Sequence, residues 1–278
     1  MLELARGLTQ DALLELATLE ADTVAADGGR LKLEWGALGT RSGDAVEDVL
    51  WREEGRLVGF TGLYSFGGST IEVAGMVHPD FRRRGIGTSL LDEAAALCRE
   101  RGHDRFLLIA PRTSVGSRAM AEVRGGVLDH SEHAMDLIGA VTDGPSDPTL
   151  ELREAARDDI PEIARILTEA FGHPWNPVDV EAEREPTLVA AREGAVIATM
   201  RVHRTPEEWG IYGFAVEPTL QGGGIGRDLL RRVCRQASEA GVGRLHLEVE
   251  VNNDRALGLY TSLGFTRTST EDYFSIPL

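Results

Sequence analysis

Residues 215–226 read Ala215-Val216-Glu217-Pro218-Thr219-Leu220-Gln221-Gly222-Gly223-Gly224-Ile225-Gly226, and Arg227-Asp228-Leu229-Leu230 follow. The stretch begins as an apolar strand, passes a proline turn and ends in glycines that open a helix. Glycine lets a backbone approach a ligand closely. The N–H groups of a first helical turn lack intrahelical partners, so such a junction suits an anion such as a pyrophosphate. The chain carries the arrangement twice. The earlier copy is Met76-Val77-His78-Pro79-Asp80-Phe81-Arg82-Arg83-Arg84-Gly85-Ile86-Gly87, followed by Thr88-Ser89-Leu90-Leu91. Each copy sets an arginine or glutamine three residues before a glycine, with a second glycine two residues on: Arg82, Gly85, Gly87 and Gln221, Gly224, Gly226. Neither completes the dinucleotide fingerprint Gly-x-Gly-x-x-Gly, whose last place holds Leu90 in one copy and Arg227 or Leu229 in the other. Neither contains the lysine of a Walker loop.

The flanking sequence repeats as well. Leu2-Glu3-Leu4 and Leu150-Glu151-Leu152 both read as short opening strands, and a helix capped by Thr9 follows the first. In the second half, Asp158-Asp159-Ile160-Pro161 opens a helix with Ile163, Ile166, Leu167 and Phe171 on one face. Asp48–Arg52 and Leu57–Tyr64 form a hairpin about Glu53-Glu54-Gly55; Leu188–Arg192 and Ala195–Met200 form its counterpart about Glu193-Gly194. Residues 71–77 and 209–216 lead into the loops. Leu90, Leu91, Ala94, Ala95 and Cys98, then Leu229, Leu230, Val233 and Cys234, recur at helical spacing after them. Arg105–Ile109 and Leu245–Val251 read as strands, Asn253–Leu263 as a helix stopped by Gly264, and residues 265–278 as two short strands. Residues 141–149, with two prolines and a glycine, read as a linker. The expected organisation is a domain over 1–140, the linker, and a second domain over 150–278. The period is a whole domain, which excludes a solenoid.

A chain of 278 residues with 42% hydrophobic and 27% charged side chains suits two globular cores. Its net charge of −16 argues against nucleic acid or an anionic membrane as partner. Lys32 is the only lysine among 29 basic residues. Cys98 and Cys234 fall on separate amphipathic helices, consistent with reduced thiols and a cytoplasmic setting. No signal peptide, apolar run of membrane-spanning length or metal-ligand spacing is expected.

The paired glycine loops resemble the acetyl-CoA loop of the GCN5-related N-acetyltransferases. The segment Leu247-Glu248-Val249-Glu250-Val251-Asn252-Asn253-Asp254-Arg255-Ala256-Leu257-Gly258-Leu259-Tyr260-Thr261-Ser262-Leu263-Gly264-Phe265 resembles that family's closing motif, especially in the branch acting on protein N-terminal amines. The tandem, arginine-rich arrangement is also similar to the mycothiol synthase branch, which acetylates an amine on a small thiol precursor. The resemblance implies an α/β fold (α+β) of two tandem domains, each a mixed, largely antiparallel sheet flanked by helices. It implies acetyl-CoA as co-substrate, no metal, and an amine-bearing small molecule or peptide as acceptor.

It further implies that the backbone of Ala215 and Val216 pairs with the pantetheine arm, and that Gln221, Gly222, Gly223, Gly224, Ile225 and Gly226 hold the pyrophosphate. Asn253 would lie near the pantetheine. Tyr260 would protonate the leaving thiolate, and Glu248 would act as base through water. Glu250 shares the parity of Glu248, so the strand alone leaves the choice between them open. Met76, Val77, Arg82, Arg83, Arg84, Gly85, Ile86 and Gly87 are the corresponding coenzyme residues of the first half. Matching Gly126-Val127 to Gly264-Phe265 sets Glu122 opposite Tyr260 and Ala110 opposite Glu248, and leaves no counterpart for Asn253. On that reading the first half binds acetyl-CoA or only scaffolds, and the second half catalyses. The rival class is a non-catalytic acyl-CoA-binding protein. Tyr212, Trp175 and His173 are candidate acceptor-pocket residues, and His246 lies on the glutamate face.

Overall fold

The structure is a computed structural model that describes residues 1–65, 70–172, 174–175, 177, 180 and 186–278. Contacts divide the chain into two compact units, Met1–Glu132 with Ser269–Leu278, and His133–Thr268.

In the first unit the strands β1 (Leu2–Ala5), β2 (Asp48–Glu53), β3 (Arg56–Tyr64) and β4 (Glu72–Val77) pair antiparallel in turn. The helices α1 (Gln10–Asp27) and α2 (Trp35–Thr40) lie between β1 and β2 in sequence. Thr9 caps α1 by accepting the Ala12 N–H at 3.2 Å. The β2–β3 turn puts Glu54 at φ 50° and Gly55 at φ 84°, the pair of positive angles a two-residue hairpin requires. After the first glycine loop comes α3 (Ile86–Glu100), then β5 (Arg105–Pro111), parallel to β4. The next elements are α4 (Val115–Val123) and β6 (Val127–Leu137), neither of which the sequence reading assigned. The core on one face gathers Leu16, Leu19, Leu33, Ile109 and Tyr273 under α1; on the other face, Leu90, Ala94, Cys98, Leu108 and Phe274 lie under α3. Each large side chain so buried contributes about 1.5–3 kcal/mol.

The second unit repeats the order with β7 (Glu151–Glu154), α5 (Ile160–Phe171), β8 (Thr187–Arg192), β9 (Ala195–Arg204), β10 (Glu208–Val216), α6 (Ile225–Glu239), β11 (Arg244–Glu250) and α7 (Asp254–Ser262). Here β7 to β10 are antiparallel and β11 runs parallel to β10. Ile163, Ile166 and Leu167 of α5 share a core with Val189 and Val196, and Leu229, Leu230 and Val233 of α6 share one with Leu245, Leu247, Val249 and Tyr260.

The end of the chain corrects the expectation of two short strands. It is one strand, β12 (Phe265–Pro277), and its last seven residues pair antiparallel with β5 of the first unit, Tyr273 opposite Ile109. Its Glu271-Asp272-Tyr273 run supplies buried residues that keep the strand continuous. Residues 141–149 form no helix or strand but lie along α6. Arg231 donates to the carbonyls of Thr142 (3.0 Å) and Pro145 (2.9 Å), and Asp228 accepts the Ser146 hydroxyl and the Asp147 N–H, both at 3.0 Å.

Candidate active site

In each unit the parallel pair of strands separates partway along the strand that leads into the glycine loop. Strand β4 pairs with β5 only at Glu72–Leu107 and Val73–Leu108. Strand β10 pairs with β11 from Glu208–Arg244 to Ile211–Leu247 and no further. Ala215 and Val216 are held by β9 on one edge, opposite Thr199 and Ala198, which leaves the edge toward β11 available to an extended ligand. These are the two residues whose backbone the family resemblance expects to pair with a pantetheine arm.

The loops share a construction. Gly85 (φ 84°) and Gly224 (φ 87°) sit in the left-handed region as N-caps of α3 and α6, without a side-chain cap, so the first-turn N–H groups point outward. Arg82 Nε donates to the Val77 carbonyl at 3.0 Å, and Gln221 Nε2 donates to the Val216 carbonyl at 3.0 Å. The first residue of the pattern thus ties the loop to the end of its strand. Gly226 is closely packed: an added Cβ would lie 3.3 Å from the Phe214 and Val216 side chains, which would have to give by a few tenths of an ångström. Arg83 takes φ 61° where the second loop has Gly222 at 85°, a conformation arginine rarely adopts. Arg84 lies over the Phe81 ring at 5.0 Å and donates to the Asp80 carbonyl.

Both loops are also ion-paired to the helix packed beside them. In the first unit Arg82 donates to both Asp27 carboxylate oxygens, at 2.7 and 2.8 Å, from the last residue of α1. In the second the polarity is reversed: Arg165 of α5 donates to Glu217 in the turn before the loop, and also to Glu162 and Glu169. These hydrogen bonds from Arg165 hold the Glu217 carboxyl below its ordinary value.

The first loop borders a cavity of about 770 Å³ whose walls include Asp27, Leu31, Thr61, Gly75, Ile109 and Thr113. Its volume lies within the range of small-molecule sites. In the second unit a cavity of about 10 Å³ lies between Leu167, Trp175, Thr199, Arg201 and Gly213. Trp175, an acceptor-pocket candidate from the sequence, lines this small cavity. Tyr212 meets the His246 ring edge-on at 6.2 Å, and His173 lies outside the described residues.

Strand β10 carries a feature the sequence reading missed. Its pairing with β9 shifts register between Tyr212 and Ala215, and Gly213 takes φ 52°. This β-bulge leaves backbone N–H groups outside the ladder beside that open edge. The signal was present: glycines at 210 and 213 inside an otherwise regular strand. Strand β4 pairs with β3 without a shift.

Register also corrects the matching of the two halves. Val73 pairs with Leu108 and Ile211 with Leu247, so Glu248 corresponds to Ile109, while Ala110 faces the α3 core. The helices α4 and α7 are both nine residues long, and their N-caps Ser114 and Asn253 each accept the N–H three residues on. Tyr260 therefore corresponds to the buried Ala121, not to Glu122, and Asn253 has a counterpart in Ser114. The match slipped because Gly125 and Gly126 are adjacent. Gly125, at φ 72°, is the true partner of Gly264, at φ 104°. The corrected positions still carry no proton-transfer group in the first half.

Asn253 caps α7 through its side chain, so its carbonyl oxygen serves the helix. Tyr260 is buried, its ring 6.1 Å from that of Phe265, and burial pushes its phenol up to about 12. It remains protonated at neutral pH and can donate. Glu248 is half-buried and Glu250 exposed on the face of β11 opposite Leu247 and Val249. Burial pushes the thiols of Cys98 and Cys234 up, to about 11 and about 12. Among the described residues there is no group of His, Cys, Asp or Glu that could hold a metal, and no helix long and apolar enough to cross a membrane.

The profile of the acetyltransferase (GNAT) family matches residues 13–125 and again 154–265. A protein named mycothiol acetyltransferase from Kineococcus radiotolerans is 31% identical over 95% of this chain and 92% of its own length. The N-alpha-acetyltransferase RimI of Mycobacterium tuberculosis is 36% identical over 40% of this chain and 75% of its own. The crystal structure of a GCN5-related N-acetyltransferase from Sphaerobacter thermophilus superposes with a TM-score of 0.81 at 20% identity, covering 100% of this chain and 96% of that one, which is a likeness of fold. The strands that part ahead of each glycine loop are thus those of a known architecture present twice, and the chain belongs to the acetyltransferase (GNAT) family as an acetyl-transferring enzyme.

Proposed function

We propose that the chain transfers the acetyl group of acetyl-CoA to a primary amine by direct attack in a ternary complex, with the chemistry in the second repeat, residues 150–278. The observation that carries this is Tyr260, a buried phenol kept protonated on the helix after the splayed strand, where the first repeat has Ala121. Acetyl-CoA supplies the reactive thioester. The open edge of Ala215 and Val216 pairs with the pantetheine arm, and the N–H groups from Gly222 to Gly226 receive the pyrophosphate. The bulge at Gly213 offers N–H groups to the thioester carbonyl, whose oxygen gains charge as the amine adds. Glu248, through water, accepts the proton the ammonium must lose; Tyr260 protonates the thiolate. Holding both substrates together supplies much of the remaining rate. Glu248 is preferred to Glu250 because it is the less exposed of the two.

The first repeat holds acetyl-CoA in its cavity without turning it over on an external acceptor, since Ile109 and Ala121 offer no proton-transfer group. The full-length relatives named mycothiol acetyltransferase make the amine of a mycothiol precursor the first acceptor to try. An antibiotic amine and a protein N-terminus are the next. The test is CoA release with each amine, by wild type and by Tyr260→Phe. Turnover with one class of amine that falls at least ~100-fold in the variant supports the reading. Acetyl-CoA binding with no turnover on any amine would favour a non-catalytic acyl-CoA-binding protein instead.

A further inference from the structure

Lys32 is the one lysine in a chain whose other 28 basic side chains are all arginine. It lies between α1 and α2, with its side chain 12% exposed. Its Nζ donates to the Tyr273 hydroxyl at 2.5 Å and to Glu132 Oε2 at 3.2 Å; the Tyr273 hydroxyl in turn donates to the same Glu132 oxygen at 2.6 Å. His130 stacks on the Tyr273 ring at 4.2 Å. An amine, a phenol and a carboxylate therefore form one short chain of hydrogen bonds within the first unit.

Its place in the unit matters. The cavity beside the first glycine loop is lined by Ile86, Leu90 and Leu108 of the α3 face and by Leu31, Met76 and Ile109 of the α1 face, so a ligand with its phosphates at the N-terminus of α3 has a path to the α1 face. Leu33, Ile109 and Tyr273 belong to the core of that face. Leu31, the residue before Lys32, and Ile109, the cross-strand partner of Tyr273, both border the cavity beside the first glycine loop. Ile109 is also where the second repeat has Glu248. The first repeat thus lacks the family's proton-transfer positions, yet a carboxylate and a phenol reach the same neighbourhood from β6 and β12, bonded to an amine of the chain itself.

We propose that Lys32 is an internal acetyl acceptor: acetyl-CoA held in the first unit acetylates its Nζ. The Lys32 ammonium passes a proton through the Tyr273 hydroxyl to Glu132. The freed amine attacks the thioester carbonyl, the N–C bond forms and the C–S bond breaks. The second amine proton leaves with the CoA sulfur as thiol. The products are an uncharged Nε-acetyl-lysine, CoA and a protonated Glu132, so atoms and charge balance. An arginine would serve as well as a purely structural ion pair, but its guanidinium does not lose a proton in proteins, so only lysine supports this step. The inference rests on the reading that the first repeat binds acetyl-CoA.

The test is mass spectrometry of the full-length protein, as purified and after incubation with acetyl-CoA carrying a heavy acetyl group, alongside a calorimetric count of bound acetyl-CoA. Trypsin digestion localises the label, because acetylation blocks cleavage after Lys32 and joins Leu31–Lys32 to the peptide ending at Arg41. Expected are one acetyl group on Lys32, its loss in Gly85→Asp, and at least a tenfold slower rate in Glu132→Gln and in Tyr273→Phe, each checked for an unchanged far-UV spectrum. Two equivalents of acetyl-CoA bound with Lys32 unmodified would overturn the inference and spare the reading beneath it. Labelling at an equal rate in Gly85→Asp would overturn it too, by assigning the reaction to acetyl-CoA in solution. Failure of the first unit to bind acetyl-CoA, seen as one equivalent lost only in Gly224→Asp, would remove both.

Discussion

Replacing Tyr260 with phenylalanine removes one oxygen atom and leaves the ring in the core against Phe265. No hydrogen bond to that hydroxyl exists among the described residues, so the loss in stability should stay within roughly 1 kcal/mol, the worth of a single net hydrogen bond. If the phenol is the proton donor to the leaving thiolate, kcat should fall between ~100- and ~10,000-fold, or about 2.7–5.4 kcal/mol of barrier, with little change in acetyl-CoA affinity. The same substitution has a signature in stability against pH. Burial raises the phenol to about 12, above the ordinary tyrosine value near 10. The folded state therefore holds its proton more tightly than the unfolded chain does. The stability this gives is fully present below pH ~10 and is lost as pH rises toward about 12, at ~1.4 kcal/mol per unit. Steady-state CoA release at pH 7–9, with urea denaturation at pH 9, 10 and 11, measures both effects. Wild type should lose stability faster than the variant above pH ~10. A variant with full kcat, or one that loses alkaline stability in parallel with wild type, would refute the assignment of a buried proton donor.

Three further outcomes follow from the geometry. Arg165→Met unties α5 from Glu217 and leaves that carboxylate near the phosphate-binding loop; calorimetry should show acetyl-CoA binding to the second unit weakened ~3- to 10-fold, with Glu217→Gln restoring part of the loss. The buried thiols of Cys98 and Cys234, pushed up to about 11 and about 12, should resist a thiol-specific disulfide reagent in native protein and both react in denaturant. Burial works against the charge of Asp272, but hydrogen bonds from Arg112 and Ser131 and the charges of Arg112 and Arg118 bring it below its ordinary value. Its stabilising contribution is present above pH ~4 and is lost as pH falls through the lowered value, so Asp272→Asn should destabilise at pH 7 and converge with wild type in acid.

Most of the architecture was legible because two periodicities and one turn chemistry carry it. The hairpin turns at Glu54-Gly55 and Glu193-Gly194, the Thr9 cap and the apolar stripes of α3 and α6 are local features, and local sequence encodes them. The glycine loops were legible twice over, since Gly85 and Gly224 occupy a backbone region that favours glycine. What escaped depends on distant partners. The tail 265–278 alternates too weakly to show one strand, and nothing local says that its last residues pair with β5 of the first unit. The β10 bulge at Gly213 hides because glycines at 210 and 213 also fit a plain strand. Matching the halves failed by one residue because Gly125 and Gly126 are alike as letters, and only the left-handed backbone at Gly125 separates them. The proline and glycine run at 141–149 carries linker composition, while its hydrogen bonds to Arg231 and Asp228 depend on a helix more than eighty residues away.

The central claim is that acetyl transfer to an external amine belongs to the second repeat. Its most direct test is CoA release on the mycothiol precursor amine by wild type, Gly85→Asp and Gly224→Asp, with acetyl-CoA binding to each followed by calorimetry. The account predicts that Gly224→Asp loses one equivalent of acetyl-CoA and all turnover, while Gly85→Asp loses the other equivalent and keeps transfer to the external amine. Turnover that survives in Gly224→Asp and vanishes in Gly85→Asp would contradict it and move the chemistry to the cavity of the first repeat.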